Sequence, residues 1–334
     1  MTLFSKANTN NVSLRSIWQS AFIRNNAPVL LIYIFILFLV FIGSIYSDRF
    51  LTASNMVNIL RQSIVLGLLA IGQTAVLLTG GMDISQEMVA RLVGLTVATI
   101  FAAFDSNPAM ILPLILLGVV LGVFIGGLNG LLITQTHAAP FIITFGVAFI
   151  LRGLNLAISS TPIRGIPSAY LEVYSAKIGI VPVNVIVMGL VWLLAWVFTT
   201  RTLLGRRIFA VGGSERIAEL SAIRVKGTVV RAYIISSIFA ALAGLFLLAR
   251  TGVGDPSAAE GMTFQAIVAS AIGAISLYGG RGSIFGTLGG VILLTLLGNF
   301  FNLMQVNIYF QQLLLGVIVL IAVAGYKSKR LGAL

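Results

Sequence analysis

The residues of this 334-residue chain that could do chemistry are amides, hydroxyls and a few acids set into long apolar runs. Gln73, Asn129, Thr144, Asn155, Ser270, Asn299 and Asn302, with Gln311 and Gln312, offer donors and acceptors without charge. With aromatic or apolar faces nearby, such groups suit a small neutral polyhydroxylated molecule. Each taken alone also suits the commoner task of tying one helix to the next. Asn299 and Asn302 lie three apart, hence on one helical face, with Phe300 and Phe301 beside them. Asp83 and Ser85, in a glycine-rich joint, join these as pathway candidates. Glu87 and Arg91 stand four apart, acid first, the favoured order for a helical pair. They either neutralise one another at the end of a span or form a polar gate. His137, beside Pro140, reads as a turn residue. The chain has no cysteine, which excludes disulfides and thiolate metal sites, and a single histidine argues against a histidine-based metal centre or triad. No paired acids, nucleophile with base, or ligand cluster is visible, so enzymatic chemistry is not expected. A phosphate-binding G-x-x-x-x-G-K-[ST] loop is also absent. No cofactor is expected in this chain, and any ATP and Mg would be bound by a partner.

The elements that must hold these groups are membrane spans. Hydrophobic residues make up 58% of the chain and charged ones only 9%, against about 25% charged in a soluble domain. So few charges cannot coat a water-facing surface, which leaves lipid as the solvent. The 35 glycines fit closely packed membrane helices. A span needs about 20 mostly apolar residues, and ten can be drawn: 27–46, 57–79, 88–104, 110–134, 139–158, 183–199, 230–249, 262–277, 284–304 and 308–325. The expected fold is therefore an all-α polytopic membrane protein with about ten transmembrane helices. Residues 1–26 form a polar, basic leading segment with no cleavable signal peptide expected, 27–325 the membrane domain, and 326–334 a tail. Gly80-Gly81 and Gly279-Gly280-Arg281-Gly282 replace proper loops at two joints.

With the N-terminus inside, 15 of the 21 basic residues fall on inner segments, Arg91 among them, which makes both termini cytoplasmic. This bias and anionic lipid headgroups account for the net charge of +12 without nucleic acid. The longest inner loop, 200–230, holds Ser214, Glu215, Arg216, Ile217, Ala218, Glu219, Leu220 and Ser221, which read as a short helix. Ser214 suits the N-cap and the two acids suit the helix dipole. Ile217, Ala218 and Leu220 give the helix an apolar side. Such a helix either docks into a groove on a partner or lies on the bilayer surface. The longest outer loop, 159–182, carries Pro162, Pro167, Pro182, Tyr170 and Tyr174 and reads as a short amphipathic piece on the membrane surface.

Five segments carry a family resemblance: Gly80-Gly81-Met82-Asp83-Ile84-Ser85; Pro140-Phe141-Ile142-Ile143-Thr144-Phe145-Gly146; Leu204-Gly205-Arg206-Arg207-Ile208-Phe209-Ala210-Val211-Gly212-Gly213; Ser276-Leu277-Tyr278-Gly279-Gly280-Arg281-Gly282-Ser283-Ile284-Phe285-Gly286-Thr287; and Tyr309-Phe310-Gln311-Gln312 with Gly316 and Ala322-Val323. From about Phe50 to Val323 the chain resembles the permease subunit of a bacterial ABC importer, of the branch that moves ribose, other monosaccharides, polyols and autoinducer-2. The resemblance implies a cytoplasmic (inner) membrane location, a second permease subunit (identical or related), ABC ATPase subunits below and a periplasmic sugar-binding protein above. It also implies that Ser214–Ser221 is the helix that couples to the ATPase. The chain departs from the family pattern at Gln86-Glu87, where Val-Gly is usual, at Arg91, where a small residue is usual, and at Thr263-Phe264-Gln265, where two acids are missing.

An ion-coupled secondary transporter is the competing reading, with the glycine joints as broken helices and Asp83 as the coupling acid. A self-sufficient carrier has no use for a docking helix at 214–221. Nothing in the chain resembles a channel filter. The topology has a direct test in this cysteine-free chain. Single cysteines placed at 327–330 are expected to resist an impermeant thiol reagent applied from outside, whereas cysteines within 159–182 label readily. Outside labelling of the tail would reverse the orientation.

Overall fold

The computed structural model describes residues 14–136 and 138–324. His137, residues 1–13 of the leading segment, and the basic tail with Lys327, Lys329 and Arg330 lie outside the described residues. The elements run α1 (Leu14–Tyr46), α2 (Ala53–Leu77), α3 (Gln86–Ala103), α4 (Ile111–Thr136), α5 (Pro140–Ile158), α6 (Ser168–Ser175), α7 (Val183–Arg201), α8 (Leu203–Gly213), α9 (Glu215–Leu220), α10 (Val225–Thr251), α11 (Met262–Ile272), α12 (Ile284–Leu303) and α13 (Ile308–Ala324). Between α6 and α7, β1 (Lys177–Ile178) and β2 (Val181–Pro182) pair antiparallel as a minimal hairpin.

Among the described residues, eight helices, counting a short 3₁₀ lead-in to α4, are long and apolar enough to cross a membrane. With the shorter α11 and α13 they occupy the ten segments expected from hydropathy. The protein is thus an all-α, multi-pass membrane protein. The 159–182 piece is α6 and the hairpin. It is pinned to the bundle by Tyr170, which donates to the Leu245 carbonyl at 2.8 Å. Burial pushes the Tyr170 phenol above its ordinary range.

α2 is the central post. Every residue from Ile64 to Leu78 is buried, because α7, α10, α11 and α12 all pack around it. A helix apolar on all sides has no other stable place. α1 is the opposite case: Leu31, Ile34, Leu37, Phe38 and Phe41 are all more than half exposed, the pattern of a lipid-facing surface.

α4 meets α10 through glycines spaced four apart, Gly118, Gly122, Gly126 and Gly130. A Cβ on Gly122 would stand 2.7 Å from the Ser237 carbonyl, and one on Gly126 2.5 Å from the Tyr233 carbonyl. In lipid no hydrophobic force drives helices together, so close backbone approach supplies the dispersion contact instead.

Each joint links two successive spans, α2 to α3 and α11 to α12, and the first corrects the sequence reading. Residues 78–85 leave the helix, and 81–85 run as irregular chain into the body of the protein. Extended chain rises about 3.3 Å per residue against 1.5 Å in a helix, so a few residues carry the start of α3 far from the end of α2. Gln86 Nε2 accordingly donates to the Leu69 carbonyl, midway along α2. Arg91, counted above as an inner residue, donates from Nε to the Ala258 carbonyl at 3.1 Å, and Glu87 N–H donates to Thr263 Oγ1 at 2.9 Å. Both partners lie between α10 and α11 or at the start of α11, toward the side opposite α9. The Glu87–Arg91 pair is therefore not at the inner edge. Its atoms approach only to 4.0 Å, with each side chain largely buried.

The glycine stripe gives a matched prediction. Gly126→Ala should destabilise the protein by about 1–3 kcal/mol, the usual cost of overpacking. Gly127→Ala, whose Cβ meets nothing within 4 Å, should stay within about 0.5 kcal/mol of the parent. Thermal unfolding in detergent compares the two.

Candidate coupling and translocation site

The polar groups within the bundle form one large network and several small ones. Asp83 is wholly buried and is the centre of the large one. Its Oδ1 accepts from Ser85 N–H at 2.9 Å and from Ser85 Oγ at 2.6 Å, and its Oδ2 accepts from Ser236 Oγ at 2.7 Å. Two amides stand behind these hydroxyls: Asn129 Nδ2 donates to Ser85 Oγ and Gln86 Nε2 to Ser236 Oγ, each at 2.9 Å. Two donor chains thus converge on one carboxyl group and bind the first joint to α4 and α10. Thr144 of α5 holds the same joint, accepting from Ile84 N–H at 3.1 Å and donating to the Met82 carbonyl at 3.2 Å. Tyr233 of α10 reaches the Met82 carbonyl as well, at 3.3 Å.

The other expected residues are dispersed. Asn155 donates to the Met88 carbonyl at 3.2 Å. Ser270 lies 3.3 Å from Thr74 Oγ1, which in turn lies 2.9 Å from Thr287 Oγ1. Asn299 exchanges amide bonds with Asn55 at 2.8 and 3.0 Å. Asn302 accepts from Gln311 Nε2 at 3.1 Å. Gln73 is wholly enclosed and its amide makes no hydrogen bond among the described residues. Asn299 and Asn302, read as neighbours on one face, therefore serve different contacts. They share one side of α12, but nearly a turn apart along it Asn299 meets Asn55 of α2 and Asn302 meets Gln311 of α13. Asp83, Ser85, Asn129 and Thr144, widely spaced in the chain, come together.

At the opposite end of the joint stands the 200–230 loop. Two helices fill it. α8 was not anticipated as a helix, although Leu204, Ile208 and Val211 carry the spacing that buries one face. Thr202 caps it, accepting from Gly205 N–H at 3.0 Å. Ile208 and Val211 are buried while Arg206 and Arg207 are exposed. α9 forms where expected, with Ser214 Oγ accepting from Ile217 N–H at 3.3 Å. Its apolar side is divided, against the sequence reading. Ala218 is buried against Val76, Ile133, Val211 and Tyr233, whereas Ile217 and Leu220 are 66% and 81% exposed. At 100° per residue, Ala218 points inward when Ile217 and Leu220 point out. Glu215 and Glu219 line a cavity of about 500 Å³ together with Thr79, Gly80, Lys226 and Tyr233. The carboxylates thus border the chain's own first joint.

This architecture is that of a membrane permease component. Residues 55–323 match the family described as the permease component of branched-chain amino acid transport systems, and the chain belongs to that family. It is 38% identical over 288 residues to the ribose import permease protein of Bacillus subtilis strain 168, covering 85% of this chain and 88% of that protein. The D-allose transport system permease protein of Escherichia coli strain K12 is 35% identical, covering 84% and 86%. The fructose import permease protein of Rhizobium meliloti is 30% identical, covering 91% and 86%. No solved structure matches the chain. The permease resemblance read from the five motifs is borne out.

Asp83→Ala removes the acceptor of three donated bonds and leaves the Ser85 N–H and the Ser85 and Ser236 hydroxyl protons without a partner. The expected cost is about 1–3 kcal/mol for each buried donor left without a partner, less whatever water can enter. Thermal unfolding in detergent reads the loss. A variant as stable as the parent would mean that the network does not hold the joint.

Proposed function

We propose that this chain is the membrane-spanning subunit of an ATP-driven importer for a small neutral sugar or polyol. It works in the bacterial cytoplasmic membrane with both termini inside. A second permease subunit, identical or related, completes the pathway, a periplasmic binding protein delivers the substrate, and a separate ATPase binds ATP and Mg. The observation that carries the reading is α9: a six-residue capped helix that turns two large aliphatic side chains away from its own protein, on the side where basic residues concentrate. The relatives, import permeases for ribose, allose and fructose, supply the substrate class.

In this reading 27–325 is the permease domain, 1–26 and 326–334 are cytoplasmic, and 214–221 is the ATPase-coupling element. Among the pathway candidates, Asn302 is the exposed one; it is bonded to Gln311 of α13, the helix on which Tyr309 and Gln312 are exposed as well. Amide and hydroxyl beside an aromatic face fit a sugar. Gln73, Asp83, Ser85, Asn129, Thr144, Asn155, Ser270 and Asn299 are buried; most of them tie backbone and helices together and shape the pathway from behind.

The double variant Ile217→Ala, Leu220→Ala tests the docking. Full burial of each side chain contributes about 1.5–3 kcal/mol, so the ATPase should be held at least about tenfold more weakly. Co-purification and substrate-stimulated ATP hydrolysis in reconstituted membranes are the measurements. A variant that inserts normally, keeps its ATPase and hydrolyses ATP on demand would reduce α9 to a surface helix. Uptake by the chain alone, driven by a proton or sodium gradient, would replace the reading with a secondary transporter.

A further inference from the structure

Three glycine pairs that lie far apart in the chain, Gly80-Gly81, Gly212-Gly213 and Gly279-Gly280, meet at one place in the fold. The second joint, 273–283, leaves α11 and returns to α12, and its tip reaches the first. Gly280 N–H donates to the Leu78 carbonyl at 3.0 Å. A Cβ on Gly279 would stand 2.7 Å from Gly80 N and 2.9 Å from Gly212 Cα. One on Gly280 would stand 2.6 Å from Gly213 Cα. One on Gly212 would run into the Leu78 carbonyl and come within 2.6 Å of Gly280 N. Real Cβ atoms do not sit so close, so three stretches of backbone touch with no side chain between them. Gly80 and Gly279 add a second demand, with φ of +84° and +85°, the left-handed region that glycine enters freely.

The same place is fastened on both sides. Ile208 of α8 is buried together with Leu77, Leu78, Ala232 and Ile275, so α8 packs on residues of both joints. Beyond Gly213, Ser214 is at once the C-cap of α8 and the N-cap of α9: its N–H donates to the Ala210 carbonyl and its Oγ accepts from Ile217 N–H. One residue therefore separates the helix offered to a partner from a backbone contact shared by both joints.

We propose that Gly80, Gly212, Gly279 and Gly280 form a positioning node that transmits a displacement of α9 to both joints together. The proposal rests on the ATPase-docking reading of α9. Bare backbone contact has no side-chain rotamers to absorb a shift, so motion at α8 passes on as motion of the joints. From there the first joint leads to the Asp83 network and α3, and the second to α12. The spans that follow the two joints, α3 and α12, then move as one gate.

The test uses the complete importer, reconstituted with its ATPase and binding protein, with uptake and ATP hydrolysis measured in the same vesicles. Gly212→Ala should keep its ATPase and hydrolyse ATP, while uptake per ATP falls about tenfold or more, because the added methyl forces α8 off the joints. Gly127→Ala, a methyl added in open space, should couple like the parent. A parental uptake-to-ATP ratio in Gly212→Ala would overturn the node. Amide hydrogen exchange of the parent importer, with and without a nonhydrolysable nucleotide, decides the matter even if Gly212→Ala fails to assemble. Protection at 214–221, 78–83 and 276–282 should change in concert. A change at 214–221 that leaves either joint unaltered would overturn the node while sparing the docking reading. Failure of the parent chain to retain any ATPase would remove both.

Discussion

Backbone that leaves a helix inside a membrane protein has no water to turn to, and every N–H and C=O it frees must find a partner in the protein. Two of this chain's connections between spans, at 78–85 and 273–283, lie partly within the bundle as non-helical chain, and much of its polar content follows from that constraint. The Asp83 carboxyl group answers for Ser85 N–H and, through Ser236, for a link to α10. Thr144 and Tyr233 answer for Met82 and Ile84. The Leu78 carbonyl is taken by Gly280, and Ser276 N–H by the Arg281 carbonyl. Residues that look like a substrate pathway in the sequence are in large part what the broken backbone needs in order to exist.

The same constraint orders the packing. A joint can be enclosed only where its neighbours come close, and glycine allows that. α4 lies against α10 along a stripe of four glycines, which holds Tyr233 and Ser236 where they meet the first joint. α8 reaches both joints only because Gly212 has no side chain. α2, buried on all sides, is the fixed element against which these parts are set. The exposed apolar surfaces divide accordingly: α1 offers leucine, isoleucine and phenylalanine to lipid, while the outward pair on α9 stands on a short polar helix beyond the spans.

Close packing and free space lie side by side in this arrangement. The joints are hydrogen-bonded and tightly packed, yet the cavity of about 500 Å³ beside Gly80, walled by Glu215, Glu219 and Lys226, lies where α9 meets the first joint.

By itself the sequence determined the solvent, the class and the punctuation. Nine per cent charge with long apolar runs demands lipid, and ten runs of span length yield the helices that are found. Ser214 ahead of two acids marks α9, because capping and dipole effects are local. The motif glycines and their neighbours were legible as a family pattern for the same reason. What depends on contacts between distant segments was decided by the tertiary structure. An extended run after Gly81 set Arg91 and Glu87 in the opposite half from the one their hydropathy context suggested. Asn299 and Asn302 parted because different helices came to face them. Ala218 turned inward and Ile217 and Leu220 outward because Val76, Ile133, Val211 and Tyr233 occupy one side of α9. The meeting of Gly80, Gly212, Gly279 and Gly280 has no local signature at all, since a glycine shows in sequence only that close approach is allowed, and the approaching partner is chosen by the fold.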